Sequence, residues 1–441
     1  MLRRKVLKRL RQWRHDKDGK CLLIKGPRQI GKTFIVEQFG KEYESFVKID
    51  FITNPSYKRV FEGDLDVDTI VRMISAFDKD VRFIPGRTLL FFDEVQECPR
   101  ARTSLKPFAI DGRYDVIAAG SFTGVHIKGS LNAPVPVGYE RELRMNSLDF
   151  EEYLWAIGMD PAFIDDVRRR IRDLDGLGPA VYDLMSAHFR DYMVVGGMPR
   201  AVSKFVSDGI YSTAWEENRN ILRSCIDDIE RYVTGPNMSK TKACFESVPR
   251  QLAKPNRRFV YADLDPDDPN AARKYEGNLL WLRDANVVTY CNRLNQPLVP
   301  LSANVDEKAF KVYMHDIGLL TASYEYDLVS RIVAPESDAY IGAIVENCIS
   351  ACIERLGRTP YYFEKKGKFE IDFVTMVHGD VAAIEVKSGN NRTSLSLDRL
   401  ESYGHHVDRR IKLENSDIML DDDGVEHYPL FCAGFLDDMH P

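Results

Sequence analysis

The chain has 441 residues and a formal charge of -6, with 44% hydrophobic and 29% charged residues. These figures exclude wholesale disorder, predict about three domains at roughly 150 residues each, and argue against nucleic-acid binding through total charge, which leaves only a local basic face for that role. No apolar run approaches the ~18 residues of a membrane-spanning helix, and eight cysteines without a CxxC pair indicate neither a zinc ribbon nor a disulfide framework. The expectation is a soluble, cytoplasmic protein with no membrane partner.

The first 20 residues hold nine Lys and Arg against Asp16 and Asp18. Leu2, Val6, Leu10 and Trp13 recur at helical spacing, which predicts a docking helix with a basic outer face. A transit peptide is the other reading of such a start, but a strand beginning at Cys21 leaves no segment to cleave. Cys21-Leu22-Leu23-Ile24 has the length and apolarity of a buried parallel strand. It runs into Gly26-Pro27-Arg28-Gln29-Ile30-Gly31-Lys32-Thr33, which fits the phosphate-loop pattern G-x-x-x-x-G-K-[ST]. Phe34 to Phe39 then supplies a helix that stops at Gly40. In this context the backbone N–H groups of residues 26–33 cradle phosphate oxygens, Lys32 neutralises the β- and γ-phosphates, and the Thr33 hydroxyl coordinates Mg²⁺. The expected ligands are therefore ATP and Mg²⁺.

Thr88-Leu89-Leu90-Phe91-Phe92 is a second buried strand and ends in Asp93-Glu94. Asp93 is placed to hold the Mg²⁺ shell and Glu94 to orient and deprotonate the attacking water. A third strand, Asp115-Val116-Ile117-Ala118-Ala119, ends at Gly120-Ser121. Residues 150–235 read as helical, with Gly196-Gly197 before Pro199 marking a sharp turn. From 236 to 320, helices at 243–253 and 274–284 precede strands at 287–290 and 310–314. Arg250, Lys254, Arg257 and Arg258 form a basic cluster, with Asp263, Asp265, Asp267 and Asp268 close behind, which would oppose a phosphate backbone.

Ile341, Ile344, Val345, Cys348, Ile349, Cys352, Ile353 and Leu356 trace an amphipathic helix that Gly357 caps, with Glu346 off its central apolar stripe. Phe369 to Val377, the turn His378-Gly379, and Asp380 to Lys387 read as a hairpin. In that register Asp372 faces Glu385 and Glu370 faces Lys387, all on one side, while Ile371, Phe373, Ile384 and Val386 face the core. Opposed carboxylates repel unless a cation lies between them, and a divalent metal would serve. An ordinary Glu370–Lys387 ion pair is the blander reading. The acidic stretch at the end, including Asp421, Asp422 and Asp423, reads as a solvated end.

Several stretches resemble, in order and spacing, the landmarks of bacterial and archaeal AAA+-type ATPases that carry a C-terminal domain of unknown function. They are Gly26-Pro27-Arg28-Gln29, Asp93-Glu94-Val95-Gln96, Leu148-Asp149-Phe150-Glu151-Glu152, Gly196-Gly197-Met198-Pro199, Asp228-Ile229 and Val345-Glu346-Asn347. The resemblance implies an α/β fold: a P-loop NTPase core with a parallel sheet over 1–150 and a helical lid over 151–235. It further implies a winged helix-turn-helix-like module over 236–320 and an endonuclease-like α/β domain over 321–441. It makes Ser121 the polar sensor of the γ-phosphate. Where the family places an arginine after the glycine, here Gly138, this chain has Tyr139, with Arg141 two residues on, so no arginine finger is assigned. Asp372 and Glu385-Val386-Lys387, with Glu346, are similar to the PD-(D/E)XK nuclease arrangement, which would take a second Mg²⁺ or Mn²⁺.

The sequence supports three functional readings. The first is an ATP-hydrolysing switch or regulator whose C-terminal domain binds DNA or protein. The second is an ATP-regulated, metal-dependent DNA endonuclease. The third is an ATP-binding signalling scaffold without useful turnover. The partner, a homo-oligomer included, is left open by the sequence.

Overall fold

The structure is a computed structural model and describes residues 2–16, 18–121, 136–334, 341–389 and 395–440. Five strands, β1 (Cys21–Lys25), β2 (Ser45–Asp50), β3 (Thr88–Asp93), β4 (Asp115–Gly120) and β5 (Glu140–Arg144), form a sheet of order β2-β3-β4-β1-β5. Every pairing in it is parallel. Such a sheet is covered on both faces, which is why β1 and β3 are apolar along almost their whole length rather than alternating. Parallel strands also bring their carboxyl ends to one edge, where a ligand site of this architecture belongs.

The N-terminal helix Val6–Asp16 buries Val6, Leu10 and Trp13, as its spacing predicts. Residues 150–235 are helical throughout their main segments, including Phe150–Ala156, Pro179–Val195, Pro199–Asp208 and Tyr211–Tyr232. Gly196 and Gly197 form the tight corner between two of these helices. A Cβ on Gly197 would collide with the Leu148 carbonyl, and one on Gly196 with the Asp316 carboxylate.

The remaining strands share one sheet of order β12-β13-β11-β10-β9-β8-β6-β7. They are β6 (Val288–Leu294), β7 (Val305–Met314), β8 (Tyr361–Lys365), β9 (Phe369–Val377), β10 (Asp380–Lys387), β11 (Arg409–Glu414), β12 (Met419–Leu420) and β13 (Glu426–Pro429). Because β6 pairs with β8, as in Asn292 with Tyr361, the sheet runs straight across the division expected at 320. One apolar core extends from Val6 in the N-terminal helix to Met439. Among the described residues no helix is long and apolar enough to cross a membrane.

Two expectations about the C-terminal half need correction. The hairpin turns at His378 and Gly379, both with positive φ, and its register holds from Asp380–Val377 to Ile384–Phe373. There strict alternation fails. The β8–β9 register shifts between Tyr361 and Phe363, so β9 carries an extra residue at Asp372 and Phe373. A bulge reverses the facing of the residues beyond it. Ile371 consequently packs with Leu397 and Leu400, whereas Phe373 joins the main core. The acidic C-terminal stretch, moreover, is built into the edge of the sheet rather than left as a free end, although Asp422 and Asp423, in the turn between β12 and β13, are exposed. Arg409 pairs with Glu426 at 2.6 Å, and His427 lies between Glu414 at 2.6 Å and Asp421 at 3.1 Å.

Candidate nucleotide-binding site

Residues 26–33 connect β1 to the helix Lys32–Gly40 at the carboxyl edge of the parallel sheet. Gly26 is close under the Met145 carbonyl, where a Cβ would not fit, and Gly31 adopts φ 87° at the helix start. Gln29 is also left-handed, with φ 62°. Successive turns of this kind point backbone N–H groups into one concavity, the geometry that binds phosphate.

Lys32 is buried and folds back on the loop. Its Nζ donates to the carbonyls of Gly26 at 2.9 Å and Pro27 at 2.6 Å, and to the Ser121 hydroxyl at 2.9 Å. Burial lowers its pKa to about 8, against the pull of Glu94 and Asp93. A partly desolvated ammonium held by neutral oxygens has much to gain from an arriving phosphate. Ser121, at the end of β4, is therefore brought against Lys32 from a position 89 residues away.

Thr33 donates its hydroxyl to Asp93 Oδ2 at 2.8 Å. Lys48 approaches the same oxygen at 3.5 Å and Glu37 at 2.9 Å. Burial raises the pKa of Asp93, while the Thr33 hydrogen bond and Lys48 act the other way. A hydroxyl and a carboxylate in direct contact fit Mg²⁺, a hard cation that uses few protein ligands and completes its shell with water and phosphate. Glu94 comes next in a left-handed conformation, φ 52°. A non-glycine residue in that region costs about 1–3 kcal/mol, and such strain gathers at functional sites. Here it turns the carboxylate toward the cleft, where Gln96 donates to it.

That cleft has a volume of about 900 Å³; Lys32, Thr33, Glu94 and Ser121 line one wall, and Pro199, Arg200, Asp227, Asp228 and Arg231 from the helical region line the other. The two walls touch. Arg28 reaches Asp228 on the helix Tyr211–Tyr232 at 2.7 Å and donates to Tyr232 at 3.1 Å, and Tyr232 in turn donates to Glu97. Burial raises the pKa of Asp228 to about 6, although Arg28 pulls it down. Sequence reasoning marks Asp228 only as a landmark, and misses Arg4, Arg200 and Arg231 altogether. Their one signal is positive charge, which many surface arginines share.

The C-terminal constellation is arranged differently. Glu346, off the apolar stripe, is nonetheless buried, 2% exposed, because the helix Gly342–Arg355 is covered on nearly all sides. It pairs with Arg257 and accepts from Lys311 at 3.4 Å and Tyr313 at 3.1 Å. Lys311, itself fully buried, also takes Glu370 at 2.7 Å. Lys387 pairs with its near neighbour Glu385 at 2.6 Å, so the expected Glu370–Lys387 pair is absent among the described residues. Past Phe373 and Ile384, the Asp372 carboxylate takes the Val386 N–H at 2.8 Å. Among the described residues no group of three or more His, Cys, Asp or Glu is disposed to hold a metal ion. The residues present do not fit the second metal. Of the basic cluster, Arg257 and Arg258 are drawn inward to Glu346 and Glu364, whereas Lys254 meets Asp263 at the surface and Arg250 is exposed.

Comparison with known proteins gives three family matches along the chain. Residues 18–154 match the AAA domain, 186–327 a domain of unknown function (DUF8612), and 341–430 a domain of unknown function (DUF4143). Among curated proteins none matches the chain. Of solved structures, a Walker-type ATPase of Pyrococcus abyssi is similar at 13% identity and a TM-score of 0.43, over 73% of this chain and 96% of its own. PCH-2 of C. elegans is similar at 13% identity and a TM-score of 0.28, over 46% of this chain and 60% of its own. Likenesses this remote carry no argument about activity. The N-terminal third is an AAA-type P-loop ATPase domain, and its sheet carries the phosphate loop at the carboxyl edge.

Proposed function

We propose that the chain is a Mg²⁺-dependent ATPase of the AAA class that works as a nucleotide-driven switch, its C-terminal half presenting a surface to DNA or to a protein partner. The observation that carries this reading is the Arg28–Asp228 pair, which joins the phosphate loop to the helical wall across the cleft. A nucleotide phosphate arriving in the loop competes with Asp228 for Arg28, so occupancy and the position of the helical wall are linked.

Each residue of the site has a distinct task in this chemistry. Backbone N–H groups of residues 26–33 and the Lys32 ammonium bind the β- and γ-phosphates. Thr33 and Asp93 would hold magnesium, which would supply charge neutralisation there. Glu94 accepts the proton of the attacking water, and Ser121 orients the γ-phosphate and keeps Lys32 in place. Communication with the C-terminal half runs through one buried junction. Asp316 accepts from Ser147 at 2.6 Å, from the Gly197 N–H at 2.9 Å and from Arg355 at 3.1 Å, which ties the AAA domain, the corner before Pro199 and the helix Gly342–Arg355 together.

The units of this proposal are the ATPase core of 1–150, the lid of 151–235, and a C-terminal body in which 236–320 and 321–441 share a sheet. Phosphodiester cleavage is not included, because Arg257 and Lys311 neutralise Glu346, Lys387 pairs with Glu385, and the Asp372 carboxylate accepts the Val386 N–H.

Glu94→Gln tests the assignment. Steady-state hydrolysis falls about 100-fold or more while ATP binding is retained. Unchanged turnover would show that Glu94 is not the base and would break the site as described. For the partner, DNA affinity that falls with salt by a log–log slope of about -0.9 per phosphate contact supports a DNA surface. A flat response leaves the protein-binding reading.

A further inference from the structure

The basic N-terminal start of the chain does more than dock a helix. Arg4, just before that helix, has a side chain only 7% exposed, and its guanidinium donates to three acceptors that belong to separate parts of the AAA domain. Nε donates to Glu152 Oε2 at 3.1 Å, Nη1 to the Ile30 carbonyl at 3.0 Å, and Nη2 to the Asn146 carbonyl at 2.6 Å.

The second of these bonds lands inside the phosphate loop. Ile30 stands between Gln29, φ 62°, and Gly31, φ 87°. A trans peptide is planar, with its C=O and N–H on opposite sides. Holding the Ile30 carbonyl on Arg4 therefore fixes the direction of the Gly31 N–H, and Gly31 borders the concavity that Arg4, Lys32 and Thr33 line. We propose that Arg4 is a positioning residue for nucleotide binding: it fixes the Ile30–Gly31 peptide plane so that the Gly31 N–H meets a β-phosphate oxygen of a nucleoside di- or triphosphate. This rests on the nucleotide-site reading above.

The anchor behind Arg4 is built to hold still. Glu152 belongs to a capping box with Asp149 at the start of the helix Phe150–Ala156, and its other oxygen accepts the Lys5 N–H at 2.6 Å. The planar guanidinium fork suits acceptors spread over three directions, and a lysine ammonium on a flexible stem does not replace it.

The test compares wild type, Arg4→Met, Arg4→Lys and Lys5→Met for equilibrium binding of ATP, ADP and AMP, with melting temperatures measured on the same samples. Lys5→Met is the control, since the Lys5 ammonium pairs with Asp149 and Glu151, on the same anchoring helix but away from the loop. Arg4→Met is expected to weaken ADP and ATP about 10-fold or more, the size of one hydrogen bond to a charged group, and to leave AMP unchanged. Arg4→Lys stays weak, because charge alone is not the contribution, and Lys5→Met binds ADP as wild type does. The inference is overturned if Arg4→Met binds ADP normally, if AMP and ADP weaken equally, or if lysine restores full affinity. Should Arg4→Met fail to fold, Glu152→Gln loosens the anchor with Arg4 in place, and an ADP-selective loss there supports the inference while none overturns it. Wild type that binds neither ATP nor ADP would defeat the nucleotide reading itself, and this inference with it.

Discussion

The chain contains two constellations of acid and base that look alike on paper, Lys32 with Asp93 and Glu94, and Lys387 with Asp372 and Glu385. In the first, the acids face small neutral partners at hydrogen-bond distance, with Lys48 further off at 3.5 Å from Asp93. Asp93 takes the Thr33 hydroxyl and Glu94 takes the Gln96 amide, and the lysine is held by carbonyls and a serine. Lys32, Thr33, Glu94 and Ser121 border an open cleft, so a charged ligand finds groups that are desolvated and held mainly by neutral atoms. In the second, each acid has been met from inside the protein. Asp372 accepts the Val386 N–H and Glu385 takes Lys387, while Arg257 and Lys311, from an earlier part of the chain, settle on Glu346 and Glu370 beside them. The residue types of a site are thus necessary for chemistry, but it is the partners supplied by the rest of the fold that decide whether any chemistry is left to do.

The sharpest way to break that contrast is Lys311→Met. If Lys311 is the internal cation of the C-terminal acids, its loss leaves buried Glu346 with Arg257 alone and half-buried Glu370 without its lysine, and costs at most about 3–5 kcal/mol of unfolding free energy. Chemical denaturation measures it, and the added change Glu370→Gln should return part of the loss. A Lys311→Met protein as stable as wild type would mean that the acids are hydrated, and open to a metal after all. Stabilisation of Lys311→Met, but not of wild type, by Mn²⁺ would show that the lysine stands where a cation can.

Next in size is a matched pair of neutral replacements. Asp93→Asn is expected to lower ATP turnover about 100-fold, because the carboxylate that meets Mg²⁺ is gone. It should not lower the melting temperature, since burial already disfavours the Asp93 charge. Asp372→Asn, which keeps a side-chain carbonyl for the Val386 N–H, should leave ATP turnover at the wild-type level. A drop in turnover with Asp372→Asn would show that the two constellations communicate.

Much of the first site was legible because its signals are local. A buried strand, a glycine-rich turn and a helix lie within about 20 residues, and each of the other strands delivers its polar residue at its carboxyl end. The parallel sheet then assembles these ends with little freedom. The C-terminal site depended on a register one residue wide. The hairpin turn was legible, but the bulge at Asp372 and Phe373 is set by packing against β8, which no periodicity in β9 reveals. Lys311 falls in the strand expected at 310–314, and only the joining of β6 and β7 to the C-terminal sheet brings it into the core and to Glu346 and Glu370. Arg4 was hidden in the same manner, one of nine basic residues until the fold set its fork on the Ile30 carbonyl.

The smallest effect is the most diagnostic of how the cleft opens. Asp228 has a folded pKa of about 6, raised by burial above the ordinary carboxylate value near 4. Between those two values the folded protein holds a proton that the unfolded chain has released. Stability from this group is therefore complete at the acid end and is lost as pH rises toward 6, with a slope of at most about 1.4 kcal/mol per pH unit. Asp228→Asn does not titrate, so the difference in melting temperature between wild type and variant should shift against wild type from pH 4 to 6 and stay level above. The same proton also governs the clasp. Below pH 6 Asp228 loses the charge that holds Arg28, and fluorescent-nucleotide association with wild type should quicken, whereas Asp228→Asn associates quickly at every pH. Association that quickened equally in the variant would place the titration elsewhere in the cleft and leave the Arg28–Asp228 pair as packing alone.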